Sequence, residues 1–211
     1  MTNYDLICIG GGSGGIAAAN RAAEYGAKVA VIEGKRVGGT CVNVGCVPKK
    51  ASWYASNLME AMNYYGPGYG FKVGDLSFDY AAFVEARDAY IDRSRQSYFS
   101  RFEANGIDLI EGYGRFVDEQ TVEVNGQRYQ AKHFIIATGG HAAFPEVKGI
   151  DLTEDSDAFF AWQDLPESVA VVGAGYIAVE LAGVLHSLGV QSHLCVRYDR
   201  PLRKFDEMLS S

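Results

Sequence analysis

Six residues, Gly10-Gly11-Gly12-Ser13-Gly14-Gly15, constrain this chain more than any other feature. They give the spacing G-x-G-x-x-G directly after the apolar run at 4–9 and directly before 16–25, a strong helix former closed by Gly26. Residues 28–32 read as a strand again, and Glu33 closes it 18 residues after Gly15. Strand, helix, strand and closing acid make one βαβ unit of the kind that binds a dinucleotide. Glycines let the backbone approach a pyrophosphate, a helix N-terminus donates N–H groups to it, and a carboxylate accepts from ribose hydroxyls. The plainer alternative is a tight strand-to-helix turn with a surface Glu33.

The spacing partly repeats at Gly173, Gly175 and Ala178, after the apolar residues 169–172. Here the next strand, 192–196, ends not in an acid but in Arg197, with Arg200 and Arg203 close behind. An arginine at that place pairs with a 2′-phosphate, so the first turn suits a nucleotide with a free 2′-hydroxyl and the second suits NADPH. Ordinary surface arginines after a βα unit are the alternative.

Between the two turns the pattern is readable. A helix is expected around 48–65, broken by Gly66-Pro67-Gly68-Tyr69-Gly70. Apolar residues at 80, 83, 84, 90, 91, 98 and 102 predict one amphipathic helix over about 78–104. Asn125-Gly126 predicts a two-residue hairpin turn, and 133–137 a strand running into Gly139-Gly140. The fold class is therefore α/β: a Rossmann-like domain with a parallel sheet and a hairpin or meander layer over 1–150, a connector over 151–168, and the first βαβ of a second Rossmann-like domain over 169–211. A lone βαβ leaves bare sheet edges, so the chain is expected to be a piece of a longer protein.

Composition narrows the function classes. The 211 residues carry a net charge of −7, which argues against a dedicated nucleic-acid binder. No apolar run reaches the length of a membrane span, and the opening run leads into Gly10 rather than a signal peptide, so a cytoplasmic protein is expected.

Of four cysteines, Cys41 and Cys46 form a pair in Gly39-Thr40-Cys41-Val42-Asn43-Val44-Gly45-Cys46-Val47-Pro48-Lys49-Lys50. On a regular helix they would point about 140° apart and lie about 7.5 Å apart along the axis. A disulfide needs Cα atoms within about 7 Å, so bonding requires a local distortion, which Gly45 is placed to permit. A redox-active pair, a zinc site and two unconnected thiols are the readings in play; zinc lacks a second ligand pair, and no metal is expected. Cys8 and Cys195 are expected in the core.

These segments, with Ala137-Thr138-Gly139-Gly140 and the run 172–180, resemble the flavoprotein disulfide reductases, most closely their bacterial glutathione reductase branch. The resemblance implies FAD and NADPH as cofactors, glutathione disulfide as substrate, and a homodimer in a chain about twice as long. There, a C-terminal domain of the partner subunit supplies the catalytic His, so residues 1–211 alone are expected to be inactive. It places Gly10, Gly12, Ser13, Gly14, Gly15, Glu33, Thr40, Cys41, Lys49, Thr138 and Gly139 at the FAD, with Gly114 at its adenine end. It gives Cys46 the position beside the flavin and Cys41 the attack on substrate. It also implies an ion pair of Lys49 with Glu180 near the flavin, and for Tyr176 the place that covers the ring until nicotinamide enters. Gly173, Ala174, Gly175, Ile177, Arg197 and Arg203 match the NADPH site, and Ser13 and Tyr98 match substrate contacts.

Some of these positions also have plainer explanations: Tyr98 lies on the apolar stripe of its helix, and Lys49 and Glu180 could be surface charges. Relatives differ at recognisable places. Dihydrolipoamide dehydrogenases would carry an acid at Arg197, and mercuric reductases usually read Pro-Ser-Lys at 48–50. Trypanothione reductases place acidic and bulky residues where this chain has Ala17 and Asn20. Small neutral residues there, with Arg21 nearby, are expected to favour an anionic tripeptide disulfide. A non-catalytic nucleotide-binding fragment is the rival from another class.

Overall fold

The computed structural model describes residues 2–210. Two compact units form, one up to Pro48 with Asp88–Thr153, the other Lys49–Arg87 with the chain from Glu154 onward. The first contains β1 (Thr2–Ile9), α1 (Ser13–Glu24), β2 (Val29–Glu33), α2 (Gly39–Val44) and the start of α3 (Cys46–Glu60). It also contains most of α4 (Tyr80–Ala104), then β3 (Asp108–Glu111), β4 (Arg115–Asp118), β5 (Thr121–Val124) and β6 (Gln127–Ile136).

Its six strands make one α/β sheet in the order β3-β2-β1-β6-β5-β4. The first four pair in parallel and the last two join antiparallel, a Rossmann-like arrangement extended by a meander. Leu6, Cys8, Val29 and Val31 pack with Ile16 and Ala19 of α1 and Phe102 of α4. Ile7, Ile9, Ala30 and Ile32 pack with Val122 and Val124 of β5, so the meander covers the second face. Both faces of the central strands are thereby dry, which parallel pairing requires. Asn125 and Gly126 both take positive φ, 50° and 80°, and close the expected hairpin with Val124 opposite Gln127. Strand β3 carries no recognisable pattern in the sequence.

In the second unit α3 runs on into a π-turn (Ala61–Tyr65) and a 3₁₀ turn (Gly66–Tyr69). α5 (Ser156–Phe159) is capped by Asp155, whose carboxylate accepts from the Asp157 and Ala158 amides. β7 (Ser168–Val172), α6 (Tyr176–Ser187) and β8 (Gln191–Cys195) then form a βαβ with the two strands parallel. α6 buries Leu181, Ala182, Val184 and Leu185. Along β7 and β8 exposed and half-buried residues alternate, because α6 packs on one face of the pair.

Three expectations need correction or addition. Cys195 is exposed, since it falls on the uncovered face of β8, whereas Cys8 is buried. Tyr90, placed on the apolar stripe of α4, is also exposed, while Tyr80, Val84, Ile91 and Phe102 carry the buried face. Residues 49–87 group with the second unit, which local sequence pattern does not announce. Side-chain ties across long sequence separations hold them there: Lys49 to Glu180, Ser187 to Glu60, and the Arg87 guanidinium to the Phe160 carbonyl.

A Cβ on Gly15 would lie 1.8 Å from the Gly10 carbonyl oxygen, whereas one on Gly183, inside α6, meets nothing within 4 Å. Gly15→Ala should therefore destabilise the protein by roughly 3 kcal/mol, because the obstacle is backbone. Gly183→Ala should instead stabilise it by about 0.5–1 kcal/mol. Urea unfolding of the two variants beside the parent checks both signs.

Candidate active site

Parallel pairing brings the carboxyl ends of β1, β2 and β6 to one edge of the first sheet, where open α/β sheets hold ligands. Gly10 has φ 111°, and a Cβ there would sit 2.2 Å from the Ala137 oxygen, so β1 leaves the sheet hard against the end of β6. Gly15 then lets α1 start directly on the Gly10 carbonyl. Thr138 and Gly139 continue from β6 in exposed positions beside this turn. The N-terminus of α1 has no side-chain cap and no acid in its first turn. The N–H groups from Ser13 onward are thus in the arrangement that a pyrophosphate uses, and the cradle fits a dinucleotide.

Glu33 is more than a surface acid. Its Oε2 accepts from the Gly11 N–H and its Oε1 from the Lys35 N–H, both at 2.7 Å. The carboxylate fastens the end of β2 to the glycine turn, and its two oxygens keep further acceptor lone pairs. The turn after β3 lies alongside: the Gly112 amide donates to the Glu33 carbonyl, and Gly114 packs on Val122 and Ile32. The exposed Tyr113 ring lies where a Cβ on Gly34 would be, at 2.7 Å. Sequence reasoning missed this ring; an aromatic directly before Gly114 was the available signal.

Gly39, with φ 59°, brings α2 against the same turn, since a Cβ on it would strike the Gly12 Cα at 2.7 Å. The contact seats Thr40 and Cys41 beside Ser13. Gly45 then interrupts the helix between α2 and α3 with φ −150° and ψ −117°. A side chain at Gly45 would meet the Thr40 oxygen at 2.8 Å. The break supplies the distortion that the i, i+5 spacing demanded: Cys41 and Cys46 come close enough for each to influence the other's ionisation, and Ser13 lies near Cys41 as well. Both cysteines are thiols in this structure, Cys46 exposed at the start of α3 and Cys41 half-buried. Burial first, and the Cys46 thiol second, hold the Cys41 thiol above its ordinary pKa. Asn43 steadies the segment by donating to the Gly39, Val37 and Arg36 carbonyls. Among the described residues no group of three His, Cys, Asp or Glu could hold a metal ion.

In the second unit Gly173 packs against Ala178, whose Cβ would be 3.0 Å from one on the glycine, and Gly175 faces open space. α6 starts there without a side-chain cap, with Tyr176 and Ile177 exposed in its first turn. The Ala174 carbonyl accepts from the Leu202 amide at 2.7 Å, drawing the loop after β8 over the turn. Arg197 and Arg203 line the resulting cleft of about 330 Å³. Arg200 does not join them: its guanidinium lies 3.7 Å from Glu207. The Lys49 Nζ lies 2.7 Å from Glu180 Oε1, both side chains partly shielded, so these two charges are paired.

Two residues of the expected substrate region have other partners. Tyr98 packs against the helix-side core of the first unit, as its place on the apolar stripe of α4 allows. Asn20 is buried, donating to the Ile16 carbonyl and accepting from Asn105. Arg21 is exposed and paired with Glu24.

In the reduced protein, alkylation should reach the exposed Cys46 before Cys41. Labelling of Cys41 should go on accelerating as pH rises beyond the ordinary thiol range, because only the thiolate reacts and its pKa is raised. Peptide mapping after timed iodoacetamide treatment over a pH series checks the order and the trend.

Residues 4–211 match the family model described as pyridine nucleotide-disulphide oxidoreductase. A curated relative, "Glutathione reductase" of Yarrowia lipolytica, is 44% identical over 223 aligned residues, covering 99% of this chain and 47% of the relative. The chain thus spans about half the length of the curated relative it matches. With its two glycine turns, its carboxylate-fastened nucleotide edge and its juxtaposed cysteines, the chain belongs to the pyridine nucleotide-disulphide oxidoreductase family.

Proposed function

We propose that this chain is the FAD- and NADPH-binding part of a glutathione-disulfide reductase that works as a cytoplasmic homodimer. The observation that carries the reading is the break at Gly45, which brings Cys41 and Cys46 into mutual influence at the edge of the first glycine turn. Identity of 44% to a protein named glutathione reductase supports it. No helix among the described residues is long and apolar enough to cross a membrane.

In this reading Gly12, Ser13 and Gly14 hold the FAD pyrophosphate, Glu33 its ribose, and Gly114 its adenine end. Thr40, Cys41, Lys49, Thr138 and Gly139 border the rest of the cofactor. Gly173, Ala174, Gly175 and Ile177 receive NADPH, Tyr176 shields the place the nicotinamide enters, and Arg197 with Arg203 neutralises the 2′-phosphate. FAD, when bound, supplies two-electron transfer from the nicotinamide to a Cys41–Cys46 disulfide. The Cys41 thiolate of the resulting pair attacks one sulfur of glutathione disulfide, whose S–S bond breaks, and the first glutathione leaves as it takes up a proton. Cys46 then attacks the Cys41 sulfur of the mixed disulfide, releasing the second glutathione and closing the Cys41–Cys46 bond. The sum is NADPH, a proton and glutathione disulfide going to NADP⁺ and two glutathiones. Ser13 orients the Cys41 thiol, and the Lys49–Glu180 pair holds the ammonium in place.

The test is NADPH oxidation by the purified full-length homodimer, with and without glutathione disulfide. Substrate-dependent turnover is expected, reduced about 10³-fold or more in Cys41→Ser and in Cys46→Ser. Absence of turnover with glutathione disulfide, alongside turnover with another disulfide, would replace the substrate and keep the chemistry. For the nucleotide, Arg197→Glu should weaken the preference for NADPH over NADH about tenfold or more, since it exchanges a charged hydrogen bond for repulsion. The ratio of kcat/KM for the two nucleotides reads this directly.

A further inference from the structure

The loop after β8 contains an arrangement that the glycine fingerprint does not encode. The Arg203 guanidinium carbon lies 3.7 Å from the centroid of the Tyr198 ring, and that of Arg197 lies 5.6 Å from the same centroid. Both fall within the roughly 6 Å range of cation–π attraction. Two like charges bordering one cleft repel, and long arginine side chains in water are otherwise free to diverge. An aromatic ring within reach of both guanidiniums offsets the repulsion and restricts the rotamers together.

Backbone geometry keeps the arrangement in place. Leu202 sits at φ 53°, a left-handed conformation that a leucine rarely adopts, and its N–H donates to the Ala174 carbonyl at 2.7 Å. The Phe205 amide donates in turn to the Leu202 carbonyl at 2.7 Å. This turn sends the chain back so that Arg203 reaches the ring five positions before it. Arg200, between them in sequence, is drawn aside by Glu207.

We infer that Tyr198 is a positioning residue for nucleotide choice: its ring is the post on which Arg203 and Arg197 are held so that both guanidiniums address the 2′-phosphate of NADPH. The inference rests on the NADPH reading given above. Tyr198 acts through the arginines, and its ring rather than its hydroxyl carries the effect.

Titration calorimetry of the purified protein with 2′,5′-ADP and with 5′-AMP tests this without turnover. The parent should bind 2′,5′-ADP much more tightly than 5′-AMP; equal binding would overturn the NADPH reading itself. Tyr198→Leu, which keeps apolar bulk and removes the π-face, should weaken 2′,5′-ADP about fivefold and change 5′-AMP less than about twofold. Tyr198→Phe should stay within about twofold of the parent for both ligands. Three results would overturn the positioning role while leaving the NADPH reading intact: unchanged 2′,5′-ADP binding in Tyr198→Leu, equal weakening of both ligands, or a loss in Tyr198→Phe as large as in Tyr198→Leu.

Discussion

Contact between backbone and backbone at the first glycine turn is the constraint on which the rest of the first unit depends. Gly15 meets the Gly10 carbonyl and Gly39 meets the Gly12 Cα at distances where no side chain fits. The first contact fixes α1 against the sheet and leaves its N-terminus open. The second fixes α2 against α1, and with it the cysteine that follows. Had either approach been looser, the Cys41 thiol would not lie on Ser13, and the nucleotide edge and the thiol pair would be separate features. Glu33 reinforces the same junction from β2 through the Gly11 amide.

The two glycine turns are built alike and finished differently. Each begins a helix without a capping side chain, which leaves the helix N-terminus to an anion. After the first, the acid at the strand end is tied to backbone N–H groups, and its negative charge suits hydroxyls. After the second, arginines border the cleft, and a loop hydrogen-bonded to Ala174 holds them there. In the proposed reading one architecture serves two nucleotides because the discriminating charge lies outside the shared turn.

Much of this was legible in the sequence. The glycine spacings, the Asn125-Gly126 hairpin and the need for a distortion between Cys41 and Cys46 follow from local rules, since each is decided within a few residues. What was not legible depends on partners far along the chain. Asn20 reads as an exposed helix residue until Asn105 is found beside it. Residues 49–87 join the second unit through single side-chain ties that leave no periodic trace. Cys195 ends β8, and its burial depends on whether a second layer covers that face of the sheet. Tyr98 fits both a packing pattern and a resemblance, and in the structure it packs, partly buried, against the first unit's core.

The central proposal is that Cys41 and Cys46 form one redox couple that NADPH reduces. The most direct measurement is the count of free thiols in the denatured protein, taken before and after exposure to NADPH and located by peptide mass. The account requires two additional thiols after NADPH, both on the Cys41 and Cys46 positions, with Cys8 and Cys195 free throughout. An unchanged count, or new thiols at Cys8 or Cys195, would contradict it.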